Sequence, residues 1–127
     1  MIGFVMIGTD DLEKSSKFYD VVLNELDMTK VFVGKRYVGY SEKNNPKKIE
    51  LYVTIPFDNK KATNGNGTMI ALLAKSKKQV DKFHQVALQN GAFNEGFPGK
   101  RVADSSDYYA YIRDLNGNKI CVHSKGL

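Results

Sequence analysis

Shifted by 65 residues, the chain lies on itself without a gap through its first helical pattern, setting Phe4 on Met69, Asp11 on Ser76, Phe18 on Phe83, Tyr19 on His84 and Leu23 on Leu88. A repeat on this scale means that one supersecondary block occurs twice and that neither copy buries its apolar face alone. A longer loop in the second copy shifts its last strand, so that Glu50 aligns with Cys121. With 127 residues the chain suffices for one domain made of two such blocks and is too short for two ordinary domains.

Within the first block, residues 2–8 are apolar and precede Asp10-Asp11, where a short carboxylate satisfies the free N–H groups of a helix start; Asp11 can fill this role and Asp10 could equally be the cap. Leu12, Ser15, Tyr19, Val22, Leu23 and Leu26 then recur at helical spacing. Runs rich in β-branched and aromatic residues follow at 30–33, 36–40 and 48–53, divided by Gly34-Lys35 and Asn44-Asn45-Pro46. Module 1 therefore spans about residues 1–55, a polar, glycine-bearing linker about 56–67, and module 2 about 68–127. In module 2 a strand at 68–73 leads to Ser76 as cap, then to a helix with Val80, Phe83, His84, Ala87 and Leu88 on its apolar stripe, stopped at Asn90-Gly91. Residues 93–97 form a short strand before a loop at Pro98-Gly99-Lys100-Arg101, and strands at 108–112 and 119–123 flank Asn116-Gly117, a strong hairpin signal. The pattern is α+β, a tandem βαβββ repeat.

Composition narrows the function. Hydrophobic residues make up 42% and charged residues 26%, as in an ordinary globular protein, and one cysteine allows no internal disulfide, which fits a reducing, cytoplasmic setting. The first residues lack a basic n-region and cleavage signal, and no apolar run approaches a bilayer-spanning length, so neither a leader nor a membrane role is expected. The net charge of +5 raises the question of polyanions, yet Lys47-Lys48, Lys60-Lys61 and Lys77-Lys78 are scattered instead of forming one stripe, and a nucleic-acid partner is not expected.

Three segments together carry a resemblance: Ile7-Gly8-Thr9-Asp10-Asp11-Leu12-Glu13 running into Phe18-Tyr19-Asp20, Met69-Ile70-Ala71-Leu72 before Val80-Asp81-Lys82-Phe83-His84, and Arg113-Asp114-Leu115-Asn116-Gly117-Asn118-Lys119-Ile120. Over nearly its whole length the chain resembles the vicinal oxygen chelate superfamily of glyoxalase I, bleomycin-resistance proteins, fosfomycin-resistance enzymes and extradiol dioxygenases. That resemblance implies a half-open eight-stranded barrel, two curled modules enclosing a cleft for a small organic molecule, and a homodimer. It further implies a divalent metal held from the first and fourth strands of each module, usually by histidine and glutamate, acting as a Lewis acid on two neighbouring substrate oxygens. Carried over, those positions are Phe4, Glu50, Met69 and Cys121. Phe4 has no lone pair, and the thioether of Met69 suits soft ions only. Glu50 and Cys121 alone fall short of the three protein ligands of a catalytic zinc site. The usual metal is therefore expected to be absent, and no cofactor is expected.

Several roles remain open. Glu50 alternates with Ile49 and Leu51, faces away from them and, by the resemblance, into the cleft; screened from water there, its carboxylate suits a general base acting next to a carbonyl, or an anchor for a ligand hydroxyl, while the same pattern equally fits an exposed or lysine-paired glutamate on a solvent face. Cys121 and His123 lie on one strand face with Cα atoms about 6.6 Å apart; with Glu50 and Met69 they compose an imaginable soft-metal site, or a thiolate activated by imidazole. Arg101 offers a planar fork for a ligand carboxylate or phosphate. Tyr52, Tyr109 and Tyr111, with Tyr37 and Tyr40, alternate along strands and supply aromatic walls, as Phe4 and Met69 supply apolar ones. His84 reads as a packing histidine. Three functions are thus weighed: metal-free proton transfer of glyoxalase type, ligand sequestration without catalysis, and a metal-dependent lyase or dioxygenase with an unusual ligand set. A polyanion-binding protein would instead show steep salt dependence.

Overall fold

The computed structural model describes residues 1–125, and the chain divides into two compact units between Thr63 and Asn64. The first contains β1 (Val5–Gly8), α1 (Leu12–Asn24), β2 (Met28–Val33), β3 (Tyr37–Glu42) and β4 (Ile49–Thr54); the second contains β5 (Ile70–Leu73), α2 (Lys77–Gln89), β6 (Phe93–Lys100), β7 (Tyr108–Arg113) and β8 (Lys119–Ser124). Each is a βαβββ module. The sheet orders are β1-β4-β3-β2 and β5-β8-β7-β6, with β1 parallel to β4, β5 parallel to β8, and every other pairing antiparallel.

The parallel pair forces the chain to cross over, and the helix that makes the crossing covers one sheet face. In module 1, Phe18, Tyr19, Val22 and Leu23 of α1 are buried, as are Val38, Tyr40, Leu51 and Val53 of the strands. The phenol of Tyr40, itself fully buried, donates to the Ser16 carbonyl at 3.1 Å and to Asp20 Oδ1 at 2.9 Å, tying sheet to helix. Burial and the Asp20 carboxylate hold that phenol protonated far above its ordinary range. Module 2 repeats the plan with Val80, Phe83 and Ala87 of α2 and Ala110, Ile112, Ile120 and Val122 of β7 and β8.

The caps settle the choice between neighbouring aspartates. Asp11 Oδ1 accepts from Lys14 N at 3.0 Å and is the N-cap of α1, whereas Asp10 Oδ1 accepts from Ala62 N at 2.7 Å and anchors the connector. Ser76 caps α2, and Gly91 follows it at φ +99°, a conformation that costs a residue with a Cβ dearly. His84 is a packing histidine, buried with Nε2 2.9 Å from Asn94 Oδ1.

Three expectations are corrected and a fourth gains detail. Strands β1 and β5 begin at Val5 and Ile70, not at residues 2 and 68, so Phe4 and Met69 stand one residue ahead of them. The strand read as 93–97 runs on through Pro98 to Lys100 and absorbs most of the expected loop; β6 flanks the sheet and its register shifts between Gly96 and Gly99, a setting in which a residue without an N–H is tolerated. The hairpin expected around Asn116-Gly117 forms, closed by a five-residue loop organised by Asp114, whose Oδ1 accepts from Asn116 N and Asn118 N at 2.9 Å each while Oδ2 accepts from Asn118 Nδ2 at 3.0 Å. Finally, the pairs Val5–Leu51 and Ile70–Ile120, combined with the 65-residue offset, equate Leu51 with Ile120, hence Tyr52 with Cys121 and Glu50 with Lys119. A slip of two residues keeps every side chain on its face, so alternation alone does not reveal it.

Asp114 is 3% exposed and serves three N–H groups at once. Replacing it with alanine leaves donors of the nearly buried Asn118 without this acceptor, and urea denaturation of Asp114→Ala is expected to show a loss of about 2–3 kcal/mol with an unchanged m-value.

Candidate functional site

With a helix on one side, each sheet leaves its other face free of the helix, and the alternation of the strands decides what that face carries. In module 1 it carries a chain of rings. Phe4 meets Tyr52 edge-on at 5.1 Å between centroids, Tyr52 meets Tyr37 edge-on at 5.5 Å, and Tyr37 stacks on Phe32 at 5.2 Å. Edge-to-face and offset contacts of this kind stabilise by about 0.5–1.5 kcal/mol beyond the area they bury.

Glu50 lies beside this cluster at an irregularity. Tyr40 pairs with Leu51 and Ser41 with Ile49, so Glu50 is the extra residue of a β-bulge, a device that re-aims one side chain. Its carboxylate is 3.6 Å from Lys48 Nζ, and its side chain is 41% exposed. Within its own module the carboxylate is half-open and charge-paired, the lysine-paired one of the two settings weighed from the sequence. One register step back from the Val5–Leu51 pair, Phe4 stands level with Glu50 and is 56% exposed.

Module 2 presents a more ordered array. His123 stacks on Tyr109 at 4.6 Å with planes 5° apart, and Tyr109 stacks on Tyr111 at 6.3 Å with planes 9° apart. Two cations stand over the Tyr111 ring: the Arg101 guanidinium at 5.2 Å and Lys119 Nζ at 5.6 Å from its centroid. At the opposite end Asp107 Oδ2 lies 3.5 Å from His123 Nε2 and accepts a long hydrogen bond, also 3.5 Å, from the Tyr109 phenol. Gly96 makes room for the array, because a Cβ there would come within 2.7 Å of Tyr111 Cδ2. Both tyrosines have phenols raised above their ordinary pKa, chiefly by desolvation; the Asp107 charge adds to the shift at Tyr109, and Arg101 opposes it at Tyr111.

Arg101 is not the open fork that the sequence offered. Its guanidinium donates to the carbonyls of Phe97 and Lys100, which hold it flat over Tyr111, so its charge is available but its geometry is fixed. Cys121 is buried, its Sγ directed at the Val122 carbonyl at 3.7 Å. Burial pushes its thiol up to about 11 against the smaller opposing pull of Arg101 and Lys119. It is a neutral, small apolar side chain at physiological pH, neither a ready thiolate nor a ready metal ligand. Met69 is 45% exposed just ahead of β5. The four positions carried over from the resemblance thus hold a phenyl ring, an ion-paired carboxylate, a thioether and a protonated thiol, and the observed register, which sets Lys119 in place of Cys121, offers an ammonium there instead. This donor set does not fit a Zn, Ni, Fe or Mn ion. Among the described residues no three His, Cys, Asp or Glu side chains cluster as ligands would.

Sequence reasoning missed Lys119 and Asp107. Both were within reach of the alternation rule, since 107, 109 and 111 share one face and 119, 121 and 123 share another stretch of it. Two hollows, of about 250 and 500 Å³, lie against α1, β2 and β3; of the residues expected at the site only Tyr40 lines one of them, the smaller.

The family model for the Glyoxalase/Bleomycin resistance protein/Dioxygenase superfamily matches residues 1–122. The chain belongs to that superfamily. A glyoxalase/bleomycin resistance protein from Albidiferax ferrireducens T118 is 37% identical, with 98% of each chain covered and a TM-score of 0.86. A lactoylglutathione lyase from Agrobacterium tumefaciens (19% identity, 98% of this chain and 92% of that one, TM-score 0.69) and the fosfomycin resistance protein FosX from Listeria monocytogenes (13%, 100% and 98%, TM-score 0.68) share the fold. Among curated proteins none matches. No helix is long and apolar enough among the described residues to cross a membrane.

The elevated thiol of Cys121 gives a direct test. In the native protein, alkylation by iodoacetamide is expected to stay slow at pH 7–8 and to accelerate only as pH approaches about 11, whereas the unfolded chain should react readily near pH 9. Because the folded state favours the protonated thiol, its contribution to stability is complete below pH 9 and declines as pH rises toward about 11.

Proposed function

We propose that this superfamily member binds a small organic molecule without a divalent metal, using the aromatic sheet faces turned away from its helices. The observation that carries this reading is the set of groups at the four positions where the family resemblance locates ligands: Phe4 is engaged with Tyr52, Glu50 with Lys48, and Cys121 is a buried neutral thiol. Beside them stand rows of rings suited to flat or amphipathic ligands, Phe4, Tyr52 and Tyr37 in one module and Tyr111, Tyr109 and His123 in the other. The protein is read as a cytoplasmic homodimer that takes up a drug or metabolite.

The position of Glu50 at a bulge favours a second activity on the same ligand, removal of a proton next to a carbonyl, with Glu50 as base and Lys48 beside its carboxylate. Catalysis of this kind needs no Lewis acid if the proton abstracted is already acidic.

Elemental analysis of protein purified without chelators is expected to show no stoichiometric Zn, Ni, Fe or Mn; one equivalent per chain would overturn the proposal. Tyr109→Ala is expected to weaken ligand binding about tenfold, the order of a lost stacking contact, as read by calorimetry on a hit from a metabolite screen. Glu50→Gln should abolish turnover with binding intact if the base reading holds, and should change neither if the protein only sequesters.

A further inference from the structure

The row of rings on module 2 is electrically lopsided. Its Tyr111 end carries two positive charges, Arg101 and Lys119, over one ring. Its His123 end carries the Asp107 carboxylate. Among the described residues no carboxylate is within ion-pairing distance of either cation; Arg101 spends N–H groups on two backbone carbonyls, which leave its charge uncancelled, and Lys119 has the Tyr111 ring as its contact. Lys48 on module 1 shows the contrast, since it is matched by Glu50. Two like charges held at one ring repel each other, and an arrangement of this kind is relieved by an anion placed between them.

The surrounding chemistry narrows the class of anion. Tyr111 and Tyr109 lie nearly parallel, and Tyr109 and His123 are stacked with planes 5° apart, a row of apolar ring surface that favours an aromatic partner. The phenols of Tyr109 and Tyr111 stay protonated through neutral pH and so remain hydrogen-bond donors. At the far end, Asp107 repels a negative group and sets the direction in which the molecule lies. Resting on the small-molecule reading given above, we infer that module 2 recognises a planar aromatic anion, an aryl carboxylate, sulfonate or phosphate, with its charged group between Arg101 and Lys119 and its ring system lying along Tyr111 and Tyr109. The charges select the ligand, and the rings contribute contact area.

Two dyes with one skeleton test this. 8-Anilinonaphthalene-1-sulfonate carries the anion, and N-phenyl-1-naphthylamine is the same ring system without it. Fluorescence titration of the native protein is expected to give saturable binding of the sulfonate at least tenfold tighter than that of the neutral amine. Lys119→Met and Arg101→Met keep an aliphatic stem over Tyr111 and remove the charge; each should weaken the sulfonate at least fivefold and leave the neutral dye within twofold, while Lys119→Arg restores binding. Thermal melts of each variant separate loss of charge from loss of fold, and a variant that melts early is replaced by raising salt on the native protein, which should weaken the sulfonate alone. Equal affinities for the two dyes, or sulfonate binding untouched by both Met variants and by salt, overturn the inference and leave the aromatic-face reading standing. If neither dye binds, or if Tyr109→Ala and Tyr111→Ala leave both dyes unaffected, the small-molecule reading itself fails at this face.

Discussion

Parallel pairing of the first and fourth strands is the constraint from which the rest of each module follows. A parallel neighbour cannot be reached through a tight turn, so the chain must travel the length of the sheet and return, and it does so as a helix lying on one face. The side chains on that face, Tyr40, Leu51 and Val53 in one module and Ala110, Ile112 and Val122 in the other, are consumed by the core. Those of opposite parity are left over. Every residue with chemical interest here, from Glu50 and Tyr52 to Tyr109, Tyr111 and His123, belongs to that remainder. The topology therefore separates stability from function by the parity of a residue's position along its strand.

Much of this was legible before any coordinates. The 65-residue repeat set the number and order of elements, and short polar side chains ahead of apolar stripes located both helix starts at Asp11 and Ser76. What escaped lies where pairing departs from regularity. A bulge at Glu50, the run of β6 through Pro98 and the two-residue offset between the fourth strands are all settled by hydrogen bonding between distant segments, and a pattern of alternation is blind to them. The loop at Asn116-Gly117 shows another limit. The glycine does adopt φ +84°, as a turn signal suggests, but the ordering contact is the buried carboxylate of Asp114, two residues before the dipeptide.

The candidate site illustrates how a family's fold outlasts its chemistry. A lyase and a fosfomycin resistance protein share this architecture at under 20% identity, and at that distance the likeness speaks for the fold alone. The choice among chemistries then rests on particular atoms. Here a phenyl ring and a thioether stand where lone pairs of nitrogen or oxygen would be needed, and the remaining thiol is kept protonated by its own burial. The neighbouring surface has meanwhile gathered rings and uncompensated positive charge, features that make no metal site and that suit recognition of an organic molecule by shape and sign.

The irregular flanks of the two sheets bear on the protein's behaviour at high concentration. Each four-stranded sheet ends in a short parallel strand of four residues on one side, β1 or β5, and in a kinked strand on the other, where Val31 of β2 and Glu95 of β6 interrupt the ladder. Fibre growth requires a long straight border on which successive chains add their own strands. A molecule showing Phe57, Leu73, Phe93 and Phe97 largely to solvent is thereby denied the template that would turn stickiness into polymerisation.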